Sequence, residues 1–186
     1  MYLLSNEDGE LALKIARLAL EEAVAHRKAV YPAIPESFTQ DRGVFVTLTE
    51  ANQLRGCIGF PQPVLPLGDG LIEAATHAAL KDPRFYPVDE TELSEIKVEV
   101  TILTVPKPLI CAANERPGQI QTGKHGIIVQ YNGYSGLLLP QVAEEYGWDS
   151  EEFLNQTCIK AGLPPETWKN ETCGVLVFEG QIFSEK

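Results

Sequence analysis

The sequence predicts an α+β protein with mainly antiparallel sheet flanked by helices. Three observations carry this. Strand-like and helix-like segments are mixed along the chain rather than alternating as βαβ units. The stretch 126–140, GIIVQYNGYSGLLLP, holds an Asn132-Gly133 pair between apolar runs, a strong short hairpin signal. Residues 96–103, IKVEVTIL, alternate, with Val98, Val100 and Ile102 on one face and Lys97, Glu99 and Thr101 on the other.

The elements follow in order. Ser5 with Asp8 three residues on fits a helix start. Leu11, Ile15, Leu18 and Ala25 recur at helical spacing, so the first helix is expected to run to about Val30, before Pro32. YPAIPES, with two prolines, is loop. Residues 43–49, GVFVTLT, form a strand rich in β-branched and aromatic residues, and LRGCIGF follows after the short polar link EANQ, which suggests a hairpin. A second helix is expected over 67–80, with a face of small residues for close packing and an end at Asp82, because Pro83 disfavours helix before it. VPKPLICAANERPGQ reads as irregular, a crossing between lobes. QVAEEYGW forms a short helix after Pro140. Asp149 with Glu152 opens another through about Lys160, and Gly162 fits its left-handed stop. LPPETW is loop, and CGVLVFEGQIF is a terminal strand.

At 186 residues, 44% hydrophobic and 22% charged, the chain suits one domain, or a larger and a smaller lobe sharing a core. A formal charge of −11 argues against nucleic-acid binding and against anionic membranes. The segment MYLLSNEDGE lacks the basic region and apolar run of a secretory signal, and no window is apolar enough to span a membrane. Cys57, Cys111, Cys158 and Cys173 form no CxxC pair and read as free thiols of a cytoplasmic protein. His26, His77 and His125 lie far apart and form no metal-ligand spacing, so no metal and no cofactor are expected.

The segment QLRGCIGF packs an arginine, a thiol and two glycines into a strand. Strict alternation puts Leu54, Gly56 and Ile58 on one face and Arg55, Cys57 and Gly59 on the other. With Leu54 and Ile58 against the core, Arg55 and Cys57 project together, and the guanidinium favours the thiolate. Gly59 then leaves room beside the thiol. The competing reading is a bulge around a packed small residue.

LRGCIG is also similar to the signature hexamer of the AMME-chromosomal-region (AMMECR) protein family. AALKDPRFYPV, ELSEIKVEVTILT, GKHGIIV, GLLLPQVAEEYGWDSEEFLNQTCIKAGLP and the late tryptophan with FEGQIF resemble further family segments in family order, over nearly the whole chain. The resemblance implies two lobes within a single domain of residues 1–186, each with antiparallel sheet, and a cleft between them bearing the hexamer. It also implies a pathway link to Memo-like and radical-SAM proteins, by gene fusion and neighbourhood. It implies no defined reaction, which must come from the site.

The candidate catalytic residues are Cys57 as nucleophile, His125 for proton transfer and Glu99 as general base. His125 lies in a glycine-flanked turn, GKHG, and is the only histidine off a predicted helix. Arg55, Gly56, Gly59, Arg84 and Gln141 are the candidate substrate-binding residues. Arg84 has an equal claim as an ion-pair partner of Asp82 or Asp89. For Glu99 a paired or solvated carboxylate is the stronger reading. Lys160 is explained by the helix dipole, and Trp148 and Phe85 by packing. Two function classes remain: an enzyme acting on a small molecule or modified peptide through Cys57, or a non-catalytic adaptor whose cleft binds a peptide or protein partner. Arginine and thiol on one polar face favour the first.

Overall fold

The computed structural model describes residues 3–186. The chain forms two compact units, residues 1–103 with 181–186 and residues 104–180.

The first unit opens with helix α1, Asn6–Val24, whose start is capped as expected: the Ser5 side chain accepts from the Asp8 amide. The helix ends six residues before the expected Val30. His26 takes a left-handed φ of 52°, which stops the helix well before Pro32. Strands β1, Val44–Glu50, and β2, Gln53–Phe60, form the expected hairpin. The turn is only Ala51 and Asn52, with φ of 48° and 63°, as a two-residue turn matched to strand twist requires. Helix α2, Leu67–Leu80, matches expectation, and strand β3, Ile96–Leu103, completes an antiparallel order β2-β1-β3. The core face of this sheet carries Val44, Val46, Leu48, Val98, Val100 and Ile102, all buried. Ala12, Ile15 and Ala16 of α1 and Leu71, Ala74 and Ala75 of α2 close over it. Residues 181–185 complete the unit: Gln181 exchanges hydrogen bonds with the Leu4 backbone, and Glu185 pairs with Arg17. The Glu185 amide also donates to the Val98 carbonyl at 3.0 Å.

The second unit contains the segment expected to be irregular. It is partly ordered as strand β4, Lys107–Pro108, and a one-turn helix α3, Arg116–Gln119, in which Pro117 stands near the start where its missing N–H costs little. Strands β5, His125–Tyr131, and β6, Tyr134–Leu138, make the predicted hairpin, with Asn132 and Gly133 at φ 49° and 84°. Helices α4, Pro140–Tyr146, and α5, Ser150–Lys160, follow, the latter capped by the Asp149 carboxylate on the Glu152 amide. Strand β7, Gly174–Ser184, pairs with β5 on one side and β4 on the other through its first half. The core gathers Ile127, Val129, Phe153, Leu154, Trp168 and Val175. Among the described residues, no helix is long and apolar enough to cross a membrane.

Candidate functional site

The hairpin register decides what Cys57 can meet. Val44 to Leu48 of β1 stand opposite Phe60 to Gly56 of β2 one for one, and then Thr49 stands opposite Leu54. Arg55 is therefore the extra residue of a β-bulge. The bulge overturns the expectation from strict alternation. Gly56, Ile58 and Phe60 keep the core face, but Leu54 crosses to the face of Cys57 and is 44% exposed.

On that non-core face the residues fall in rows across three strands. Cys57 stands opposite Thr47, and Thr47 opposite Glu99. The neighbouring rows are Gly59–Phe45–Thr101 and Leu54–Thr49–Lys97. The Thr47 hydroxyl donates to the Cys57 sulfur at 3.3 Å. Glu99 lies two strand spacings from Cys57, about 10 Å between Cα atoms, and accepts from the Ser184 hydroxyl at 2.8 Å. Sequence reasoning missed Thr47. Counting back from a two-residue turn is the signal that finds it, once the bulge is allowed for.

The glycines have separate structural reasons. A Cβ on Gly56 would collide with the Ala78 carbonyl of α2, so Gly56 admits the helix to the sheet. A Cβ on Gly59 would strike the Phe45 ring and the Val44 carbonyl. The room expected beside the thiol at Gly59 is filled by Phe45.

Both arginines are engaged. Arg55 grips Glu92 with Nε at 2.8 Å and Nη2 at 3.0 Å, and Nη1 donates to the Tyr86 carbonyl at 3.0 Å. It does not hydrogen-bond the thiol. Arg84 pairs with Asp82, the ion-pair reading of the two weighed: Nε donates at 3.0 Å and Nη2 at 2.7 Å. Together they hold the backbone of Cys57, whose N–H donates to Asp82 at 2.9 Å and whose carbonyl accepts from Arg84 at 3.2 Å. The loop thus does for the open edge of β2 what a further strand would do. Asp82, only 4% exposed, is held well below the usual carboxylate range by the Arg84 hydrogen bonds, ahead of burial, which opposes them. Glu92 is likewise lowered, first by Arg55.

The other two candidates lie in the second unit. His125 is the first residue of β5 rather than part of the turn, and stands opposite Glu179. The Gln121 amide donates to its Nδ1 at 3.2 Å, and Nε2 is 4.0 Å from Glu179. Burial lowers its pKa, against the opposing pull of Glu179. Gln141 is exposed in the first turn of α4. Cys57 with Thr47 and Glu99 is thus a feature of the first unit, and His125 of the second.

The AMMECR1 family model matches residues 13–183. A protein of Methanothermobacter thermautotrophicus is 50% identical over 185 residues, covering 98% of this chain and 96% of that protein. A protein of Thermococcus gammatolerans is 48% identical over 193 residues, covering 100% and 94%. The crystal structure of an uncharacterized protein from Pyrococcus horikoshii matches with a TM-score of 0.83 at 46% identity, over 97% of this chain and 92% of that one. With its hexamer on a bulged edge strand and a family match running from α1 to β7, the chain belongs to the AMMECR1 family.

Proposed function

We propose that the non-core face of the first unit's sheet is a thiol-dependent active site for a small molecule or modified peptide, with Cys57 as the group that bonds to substrate. The observation that carries the reading is the row Cys57–Thr47–Glu99. It places a donor hydroxyl 3.3 Å from the sulfur and a carboxylate farther along the same face. In this reading the hydroxyl orients the sulfur, and Glu99 serves as the general base toward a bound substrate spanning the row. Clamping of the Cys57 backbone by Asp82 and Arg84 fixes the direction of the thiol, which nucleophilic catalysis needs. Arg84, half-exposed beside the Cys57 carbonyl, is the residue available to an anionic group on the substrate. His125 and Gln141 belong to the second unit and are given no role in this reading.

The test is timed alkylation of the native protein with iodoacetamide, read at each cysteine by mass spectrometry. Cys57 is expected to react severalfold faster than Cys111, while Cys158 and Cys173 are shielded by burial. Thr47→Val is expected to slow Cys57 and leave Cys111 unchanged. Equal rates at Cys57 and Cys111, or indifference to Thr47→Val, sink the reading.

One observation favours the adaptor class. Leu54 is 44% and Tyr86 90% exposed, and Arg55 ties the two segments together. Exposed apolar groups on a fixed frame suit a partner surface. On that reading Leu54→Glu abolishes partner capture and Cys57→Ser does not.

A further inference from the structure

Four arginines of this chain use the same edge of the guanidinium in the same way. Arg17, Arg27, Arg55 and Arg84 each direct Nε and Nη2 at one carboxylate, of Glu185, Glu22, Glu92 and Asp82. Arg116 breaks the pattern. It is 4% exposed, and its Nη1 is anchored to the carbonyls of Trp168 and Asn170. Among the described residues its buried Nε has no hydrogen-bond partner. A buried donor without a partner is destabilising, and more so when it is charged.

Arg116 also lines a cavity of about 490 Å³ in the second unit. Leu109, Ile110 and Val175 give the cavity an apolar side, and Ile110 is 94% exposed. Glu171 lines it too, and its carboxylate accepts from the Ala113 amide at 3.0 Å.

We propose that Arg116 anchors a binding site for a small monocarboxylate with an apolar body. The Nε/Nη2 edge matches the spacing of two carboxylate oxygens, as the four intramolecular pairs demonstrate. Nη1, turned to Trp168 and Asn170, holds the guanidinium in place, and Nε is left without a protein partner. The apolar side covers the ligand body. Glu171 selects against higher charge: a phosphate dianion meets its carboxylate and the chain's net −11, whereas a monoanion meets less repulsion. This site is independent of Cys57 and of the reaction proposed there.

The test is NMR on isotope-labelled protein titrated with sodium benzoate, and separately with inorganic phosphate at matched ionic strength. The Arg116 Nε–H resonance and the amides of Ile110 and Val175 are expected to shift together and saturate at about millimolar benzoate. Glu171→Gln keeps an acceptor for Ala113 and removes the charge, so it is expected to tighten benzoate about threefold. Arg116→Lys keeps the charge and loses the fork, and is expected to weaken benzoate about tenfold. If that variant fails to fold, Glu171→Gln decides. Absence of saturation, indifference to Glu171→Gln, or saturation of the same resonances by phosphate at lower concentration overturns the proposal.

Discussion

The backbone N–H of Cys57 ends on the carboxylate of Asp82, 2.9 Å away, and the same carboxylate is held by Arg84. A loop residue 25 positions downstream thus fixes the edge strand at its thiol. Asp82→Asn keeps the size but removes the charge that accepts from Arg84. It is expected to cost about 1.5–3 kcal/mol in urea unfolding, the range for hydrogen bonds to a charged group. The Cys57 and Arg84 amides should exchange faster with solvent. An unchanged unfolding midpoint contradicts the clamp.

Acid should release the same clamp. Asp82 and Glu92 both have folded pKa values below their unfolded ones. Their contribution is therefore fully present above about pH 4–4.5, the unfolded range, and is lost as pH falls toward the folded values. Urea midpoints are expected to hold between about pH 7 and 5 on this account and to fall below about pH 4. Asp82→Asn should flatten part of that fall. The full acid-dependent drop persisting in Asp82→Asn would assign the loss to other groups.

Gly56 and Gly118 form a matched pair for testing helix packing. A Cβ at Gly56 meets the Ala78 carbonyl, and a Cβ at Gly118 meets nothing within 4 Å. Gly56→Ala is expected to destabilise by about 1–3 kcal/mol, the cost of forcing volume into a packed site. Gly118→Ala, in the short helix α3, is expected to be neutral or slightly stabilising. Equal unfolding midpoints for the two variants contradict the close approach of α2 to β2.

Much of the fold was legible because its signals are local. Asn132-Gly133 carries its own left-handed preference, and Ser5 and Asp149 sit beside the amides they cap. The alternation of 96–103 is a property of consecutive residues. The candidate site depends on quantities that alternation lacks. One bulged residue, Arg55, moves Leu54 to the opposite face, and period-two reasoning has no term for an inserted residue. The partner of Arg55 is Glu92, 37 positions away across a helix and two loops. Thr47 and Glu99 join Cys57 only because β1 lies between β2 and β3, an order the chain does not spell out locally. The early end of α1 was hidden for a different reason: a single left-handed residue, His26, stops a helix whose apolar spacing continues past it.

Strand β7 gives its first residues to the second unit and residues 181–184 to the first. On the ribosome, α1, the β1–β2 hairpin, α2 and β3 all emerge before those residues exist. Until Gln181 reaches Leu4, Phe183 reaches Gly9 and Glu185 reaches Arg17, the nascent first unit lacks a bordering segment. Its final closure waits until the whole second unit has been made, and a chain arrested after residue 180 would expose to chaperones the surface those three contacts cover.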